Sequence, residues 1–230
     1  MKTATKATPR SKKGPVTTAS GAPDMRSQRS ERTQQQILAA AEAEFADKGL
    51  AGARVDVIAE ESGVNKQMIY YYYGSKDDLY LAVLERAYAG MRQSERELNL
   101  ADLNPIEAMT RLVEFKFEYY AKNPATIRLL AAENMQNARY LKKSSRLREM
   151  QVSLIDVLQS VLAAGEKKML IRPGVDPVQL YMSIAALSYF YFANSATLST
   201  AFGRNLTNPE ELKKRCAHAV ALILDHIRAR

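Results

Sequence analysis

From about residue 33 onward the apolar positions recur at spacings of three and four, so the chain reads as one helix after another. No period-2 strand pattern and no internal repeat interrupts this. Thr33-x-x-Gln36 has the form of a capping box and predicts the start of the first helix. Ile37, Ala40, Ala41 and Phe45 make its apolar stripe, Glu44 is the exception, and Gly49 supplies a left-handed stop. A short second helix over about 55–61 places Val55, Ile58 and Ala59 on one side. Ser62-Gly63-Val64-Asn65 is a tight turn, and Asn65 caps a third helix from Lys66 to Tyr73 that ends at Gly74. Ser75 and Asp78 repeat the capping pattern and launch a fourth helix from Lys76 towards Gln93.

Farther on, Pro105 opens a helix reaching about Lys122, and Pro124 opens the next. A long helix from roughly Tyr140 is expected to end at Gly165 and Pro173-Gly174. Asp176-Pro177 then begins a helix with no charged residue as far as Gly203. Asn208-Pro209-Glu210-Glu211 begins the last, with two acids where the helix dipole favours them. The expected fold is all-α with about nine helices: an N-terminal three-helix helix-turn-helix domain, then a larger helical domain. The expected boundaries are a basic disordered tail over 1–28, the helix-turn-helix over 29–75 and the larger domain over 76–230.

The second and third helices are short, apolar on one side and joined by a turn containing Gly63, which is how a helix-turn-helix is built. Such a pair lets its second helix enter the major groove of DNA while the first crosses the backbone. In the third helix, Ile69 and Tyr73 make an inward stripe with Val64. Lys66, Gln67, Met68, Tyr70, Tyr71 and Tyr72 are too polar and crowded to form one buried face. Outward phenols can donate to phosphate oxygens, Gln67 can address a base edge, and Lys66 can pair with phosphate or guanine. Lys76 puts a cation at a helix start where a phosphate would lie. The bland reading of the tyrosines is an aromatic packing cluster between helices.

The run Ile58-Ala59-x-x-Ser62-Gly63-Val64-Asn65-Lys66-x-x-Ile69-Tyr70-Tyr71-Tyr72-Tyr73-Gly74-Ser75-Lys76-Asp77-Asp78-Leu79 resembles the helix-turn-helix signature of the TetR/AcrR family of bacterial regulators. That signature typically reads IA-x-x-AGVS-x-x-x-LYYYF-x-SK-x-x-L. With the preceding Ile37-Leu38-x-Ala40-Ala41-x-x-x-Phe45-x-x-x-Gly49 helix, the match spans about residues 32–80. The resemblance implies a three-helix DNA-binding domain, a helical ligand domain and a dimer built mainly from the last two helices. It places Lys66, Gln67, Met68, Tyr70, Tyr71, Tyr72 and Lys76 where family members usually contact DNA. Three positions depart from the pattern. Asn65 replaces Ser or Thr and keeps the cap; Tyr73 replaces Phe and brings a hydroxyl that needs a partner. Arg54 stands where Thr or Ser often caps the second helix, so it can still reach phosphate but cannot be counted on to cap. Farther along, Tyr119-Tyr120-x-x-Asn123-Pro124-x-x-Ile127-Arg128-Leu129-Leu130-Ala131-x-Glu133-Asn134 is similar to the branch containing the pyrimidine-utilisation regulator, without naming a ligand.

Charge changes this picture little. The formal net charge is +8 over 230 residues, but residues 1–30 carry seven cations against Asp24 alone. The tail explains most of the basicity; it either adds phosphate or minor-groove contacts or is a solvated extension. Hydrophobic content of 47% is ordinary for a soluble protein with a sizeable core. A single cysteine, Cys216, excludes an internal disulfide. His218 and His226 read as packing or solvated residues of the last helix. No metal site or cofactor is expected. The N-terminus lacks an apolar core segment, and a cytoplasmic protein is expected. The uncharged stretch is long enough to span a bilayer, yet Gln179, Asn194 and its many hydroxyls point to a helix buried between protein layers, not to a membrane.

That helix is apolar on two sides and must be covered on both. Leu180, Ile184, Leu187 and Tyr191 line one side. Ala185, Ser188, Phe192 and Ser195 line the other, where a partner helix can approach closely. The last helix offers Ala217, Val220, Ala221 and Leu224 to the same contact; burial within one chain is the alternative. Tyr120, Asn134 and Tyr191 are polar groups on apolar faces. They either meet a small-molecule effector or satisfy a backbone group or water. Paired carboxylates, a nucleophile elbow, metal spacing and a Gly-rich phosphate loop are all missing, which argues against an enzyme. The expected function is a ligand-released repressor binding a palindromic double-stranded DNA operator as a homodimer. An activator, or a DNA-binding module recruited by a partner, is the alternative.

Overall fold

The computed structural model describes residues 25–229. Ten α-helices follow one another: α1 Met25–Gly52, α2 Val55–Ser62, α3 Lys66–Tyr73, α4 Lys76–Arg96, α5 Pro105–Lys122, α6 Pro124–Met135, α7 Ser145–Lys167, α8 Pro177–Ala193, α9 Ser195–Phe202 and α10 Pro209–Ile227. Two single 3-10 turns, Leu100–Asp102 and Leu141–Lys143, lie between them. Among the described residues, the only β pairing is an isolated bridge from Ile171 to Arg228. The all-α expectation holds.

Two cores organise the chain. The first joins α1, α2 and α3 through Ile37, Phe45, Ile58 and Ile69, and takes in Leu79, Tyr80, Val83 and Leu84 of α4. It continues into Leu129, Tyr140 and Leu141, so it does not stop at residue 75. The second joins α5, α7, α8 and α10 around Leu112, Leu158, Ile184 and Ile223. A smaller aromatic cluster of Met91, Tyr120 and Ile127 sits on α4, α5 and α6. No helix among the described residues is long and apolar enough to cross a membrane.

The helix starts follow the chemistry read from sequence. Asn65 Oδ1 accepts from Met68 N–H at 2.9 Å, and Ser75 Oγ accepts from Asp78 N–H at 3.1 Å. Asp176 Oδ1 accepts from the N–H groups of Val178 and Gln179 at 2.8 and 2.9 Å. Gly63 closes α2 with φ 69°, a conformation that a side chain disfavours.

Four expectations need correction. The first helix begins by Met25, not near Thr33. The Thr33 hydroxyl donates back to Arg29 O at 2.9 Å, so a sequence that mimics a capping box lies inside a helix. Residues 25–28, expected in the tail, therefore belong to α1, while residues 1–24 lie outside the described residues. Gly165 does not end α7 but sits within it. A Cβ there would fall 2.4 Å from Ile171 Cδ1, so glycine is required by close packing. The long helix starts at Ser145, where Ser144 Oγ accepts from Leu147 N–H, and Tyr140 lies before it. Finally, the uncharged stretch breaks at Asn194 into α8 and α9. The Asn194 amide and the Ser195 hydroxyl donate to Phe190 O and Phe192 O, competing with the helix ladder and making ten helices where about nine were expected.

Candidate nucleic-acid interface and body cavity

The surface built by α3 follows from its anchoring. Ile69 is buried in the first core, and the caps at Asn65 and Gly74 fix both ends of the helix. The opposite face is then forced outward. Lys66, Gln67 and Tyr70 are exposed, and Tyr71 is 79% exposed. That ring touches Tyr72 edge-on but is otherwise open to a partner. Met68 and Tyr72 are half-buried. The Tyr72 ring stands edge-on to Tyr71, and its hydroxyl accepts from Ser30 Oγ at 3.3 Å. The extra hydroxyl of Tyr73 finds its partner by donating to Gln34 O at 3.2 Å. Lys76 is half-buried in the first turn of α4.

Two charged positions behave differently from one another. Lys66 pairs with Asp56 of α2 at 2.9 Å, which raises the lysine and lowers the aspartate from their ordinary pKa values. In the free chain that cation is therefore partly neutralised. Arg54 is exposed and makes no side-chain cap for α2, as its departure from the family pattern suggested. Instead its backbone N–H donates to Glu44 Oε1 at 2.9 Å, which accounts for the one acidic residue in the α1 stripe.

The N-terminal turns of α1 add what sequence reasoning missed. Arg26, Arg29 and Arg32 are spaced three apart and, with Asn65, Met68 and Tyr72, wall an open groove of about 710 Å³ between α1 and the turn before α3. The spacing is visible in the sequence, but the expected boundary at residue 28 separates Arg26 from Arg29 and Arg32 and hides their common helix face.

The body contains a second site. Tyr88, Arg92, Tyr120, Asn134, Tyr181 and Tyr189 line a cavity of about 320 Å³ between α4, α5, α6 and α8, with Gln151 of α7 at its wall. The sequence-expected Tyr120 and Asn134 are brought together here. Tyr191 is not, because its hydroxyl donates to Leu206 O at 2.6 Å and pins the loop after α9. Ala185, expected at a partner-facing surface, lines this cavity instead. A smaller hollow of about 200 Å³ lies against the same Arg92, walled by Asn99, Leu100 and Met150; it gathers none of the expected polar residues. Burial pushes the phenols of Tyr120, Tyr88 and Tyr189 above the ordinary tyrosine range, so all three remain neutral.

The expected partner-facing residues divide. Ala217 and Ala221 are exposed on α10. Ser188 is fully buried, with its hydroxyl donating to Ile184 O at 3.0 Å, and Leu224 belongs to the body core. Phe192 packs on Phe117, Tyr120 and Tyr191, Val220 leans on the body core, and Ser195 is half-buried. The outward face of α8 is instead Val178, Met182 and Phe190, with Leu222 beside the alanines of α10. A helix apolar all round has no periodicity from which to tell these faces apart.

Comparison with known proteins agrees with this geometry. Residues 37–83 match the family model described as bacterial regulatory proteins, tetR family, and residues 105–223 match the tetracyclin repressor-like C-terminal domain. The chain is 36% identical over 186 residues to the HTH-type transcriptional repressor NicS of Pseudomonas putida, covering 81% of this chain and 88% of that one. It is 28% identical over 197 residues to the HTH-type transcriptional regulator RutR of Escherichia coli, covering 84% and 90%. A crystal structure of a transcriptional regulator from Streptomyces coelicolor superimposes with a TM-score of 0.65 at 25% identity, covering 86% of this chain and 99% of that one.

Proposed function

The chain belongs to the tetR family of bacterial regulatory proteins, and from that premise we propose that it is a cytoplasmic homodimer that represses from a palindromic operator until a small molecule fills the body cavity. The observation that carries DNA binding is the outward face of α3, where Lys66, Gln67, Tyr70 and Tyr71 are exposed on a helix fixed by caps at both ends. Gln67 addresses a base edge, while the phenols and cations, including Arg54 and Lys76, meet sugar and phosphate. The arginines of α1 add phosphate contacts along the same groove.

A single α3 reads one half-site, so palindromic recognition needs a second copy. The exposed apolar face of α8 and α10, with Val178, Met182, Phe190 and Leu222, is the surface we assign to it, joined by Ala217 and Ala221. Two copies paired there present two α3 helices to successive major grooves, about 34–36 Å apart.

A run of contacts links the cavity to this surface. Asn134 walls the cavity, and its neighbour Glu133 is buried, accepting from the N–H groups of Tyr140 and Leu141 at 2.7 and 2.9 Å. Tyr140 donates to Asp77 in the first turn of α4 at 3.2 Å. Its ring meets Tyr80 edge-on, and Tyr80 meets Phe45 of α1 in the same way. A ligand that shifts α6 therefore pushes on both helices flanking α3. Couplings of this kind are typically about 1–3 kcal/mol, or roughly 5–150-fold in affinity.

The test is a gel-shift series with DNA selected from a random-sequence library. Tyr71→Ala and Gln67→Ala should each weaken binding while the protein stays folded and dimeric, and affinity should fall steeply with salt. Binding unaffected by either substitution and by salt overturns the assignment. Phe190→Glu should yield monomers in analytical ultracentrifugation; a dimer of unchanged stability would remove α8 from the interface.

A further inference from the structure

Three charged side chains are buried together beside the cavity: Arg92 and Glu95 on α4, and Lys116 on α5. Both cations pair with Glu95, so one carboxylate serves two positive charges and a formal charge of +1 is left over. The other buried acid among the described residues, Glu133, is engaged with the N–H groups of Tyr140 and Leu141. An uncompensated buried charge is costly, and a bound counter-charge removes that cost.

The donors are incomplete in the same place. Arg92 is 3% exposed, yet its Nε has no acceptor. The Tyr181 hydroxyl accepts from Arg92 Nη2 at 2.6 Å and from Lys116 Nζ at 3.0 Å. With both lone pairs taken, its own proton is free to be donated, and no acceptor for it is found among the described residues. Arg92 and Tyr181 both line the 320 Å³ cavity with the rings of Tyr88, Tyr120 and Tyr189, the last two 6.1 Å apart and edge-on, beside apolar Met91 and Leu130 and the amides of Asn134 and Gln151. That volume is at the small end for a ligand site, which suits a ring system and not a long acyl chain.

We propose that the effector is a small ring-bearing carboxylate, whose anion pairs with Arg92 and accepts from Tyr181 while its ring lies among Tyr88, Tyr120 and Tyr189. The inference rests on the reading of this cavity as the effector site. A carboxylate supplies the acceptor oxygen that the Tyr181 hydroxyl lacks, and its charge cancels the excess of the cluster around Arg92. A cation is repelled. A neutral ring gains the walls but leaves the charge uncompensated.

Benzoate, its neutral analogue benzamide, and decanoate serve as probes in calorimetry and thermal shift with the full chain. Benzoate should bind and stabilise, with benzamide and decanoate at least about 10-fold weaker, the scale of a hydrogen bond to a charged group. Tyr181→Phe, which removes one oxygen from a half-buried ring, should lose about 10-fold in benzoate affinity and distinctly less in benzamide affinity, because a neutral carbonyl accepts the weaker hydrogen bond. Arg92→Met should lose on the order of 100-fold; if it fails to fold, Tyr181→Phe decides alone. Failure of benzoate to bind, or equal binding of benzamide or decanoate, overturns the proposal. Benzoate binding that is untouched in both variants places the anion elsewhere and overturns it too. Benzoate that binds as expected but does not release the selected DNA leaves the ligand class standing and defeats the effector reading instead.

Discussion

The two ends of this molecule use polar residues in opposite ways. Around α3, the side chains that can do chemistry point outward from a small core, and the polar groups that fix the helix have partners: Asn65 accepts from Met68, Ser75 accepts from Asp78, and Tyr73 reaches Gln34 of α1. In the body the chemistry points inward, and it is unfinished. Arg92 keeps an unpaired Nε, two cations share Glu95, and the Tyr181 proton has no acceptor among the described residues. A surface that meets a solvated polyanion must be rigid and complete before contact. A cavity that waits for a small molecule retains the vacant positions the molecule will fill.

The sharpest way to break this contrast is Glu95→Gln. It leaves two buried cations without a counter-charge, and stability should fall by about 3–5 kcal/mol in urea unfolding. Little loss would mean that the cluster is hydrated and not a closed network. Asn65→Ala tests the other end, where losing the α3 cap should cost about 1 kcal/mol and weaken DNA binding.

Tyr80 lies between the two regions, fully buried, with a hydroxyl that has no partner. Tyr80→Phe should hold or raise stability, by up to about 1 kcal/mol. Burial, with Glu133 and Tyr140 adding to it, pushes this phenol up to about 12. The folded value exceeds the unfolded one, so its contribution is present below pH 10 or so and is lost as pH rises towards 12. In alkaline unfolding curves the phenylalanine variant should lack that share of the decline. The smallest effect belongs to Asp56→Asn at the exposed Lys66 pair. Stability should be nearly unchanged, while release of the lysine should tighten DNA binding a few-fold and steepen its salt dependence.

The difference between the regions also explains what could be read in advance. Gly63, Asn65, Gly74 and Ser75 act within four residues of themselves, so the helix-turn-helix and the outward face of α3 were legible from local spacing. Tyr120 and Asn134 were selected as polar residues on apolar faces, and the fold brings both to one cavity. Their partners were not legible. Tyr181 meets Arg92 across 89 residues of chain and Lys116 across 65, and no local pattern marks such a meeting. The outward face of α8 was not legible, because Ser188 and Phe190, two positions apart on an uncharged helix, differ only in which side the rest of the fold covers. The start of α1 was misplaced because Thr33 and Gln36 imitate a cap in the middle of a continuous helix.

That continuity has a mechanical consequence. Phe45, where Tyr80 bears on α1, and Arg29, beside the turn before α3, belong to one unbroken stretch of helix before the break at Gly49. They lie about 24 Å apart along its axis at 1.5 Å per residue. A tilt of about 5° at the Phe45 end therefore swings Arg29 through roughly 2 Å, enough to carry it out of hydrogen-bond range of a phosphate. The first helix is a lever: a displacement too small to open the core at one end is enlarged at the other into the making or losing of a contact.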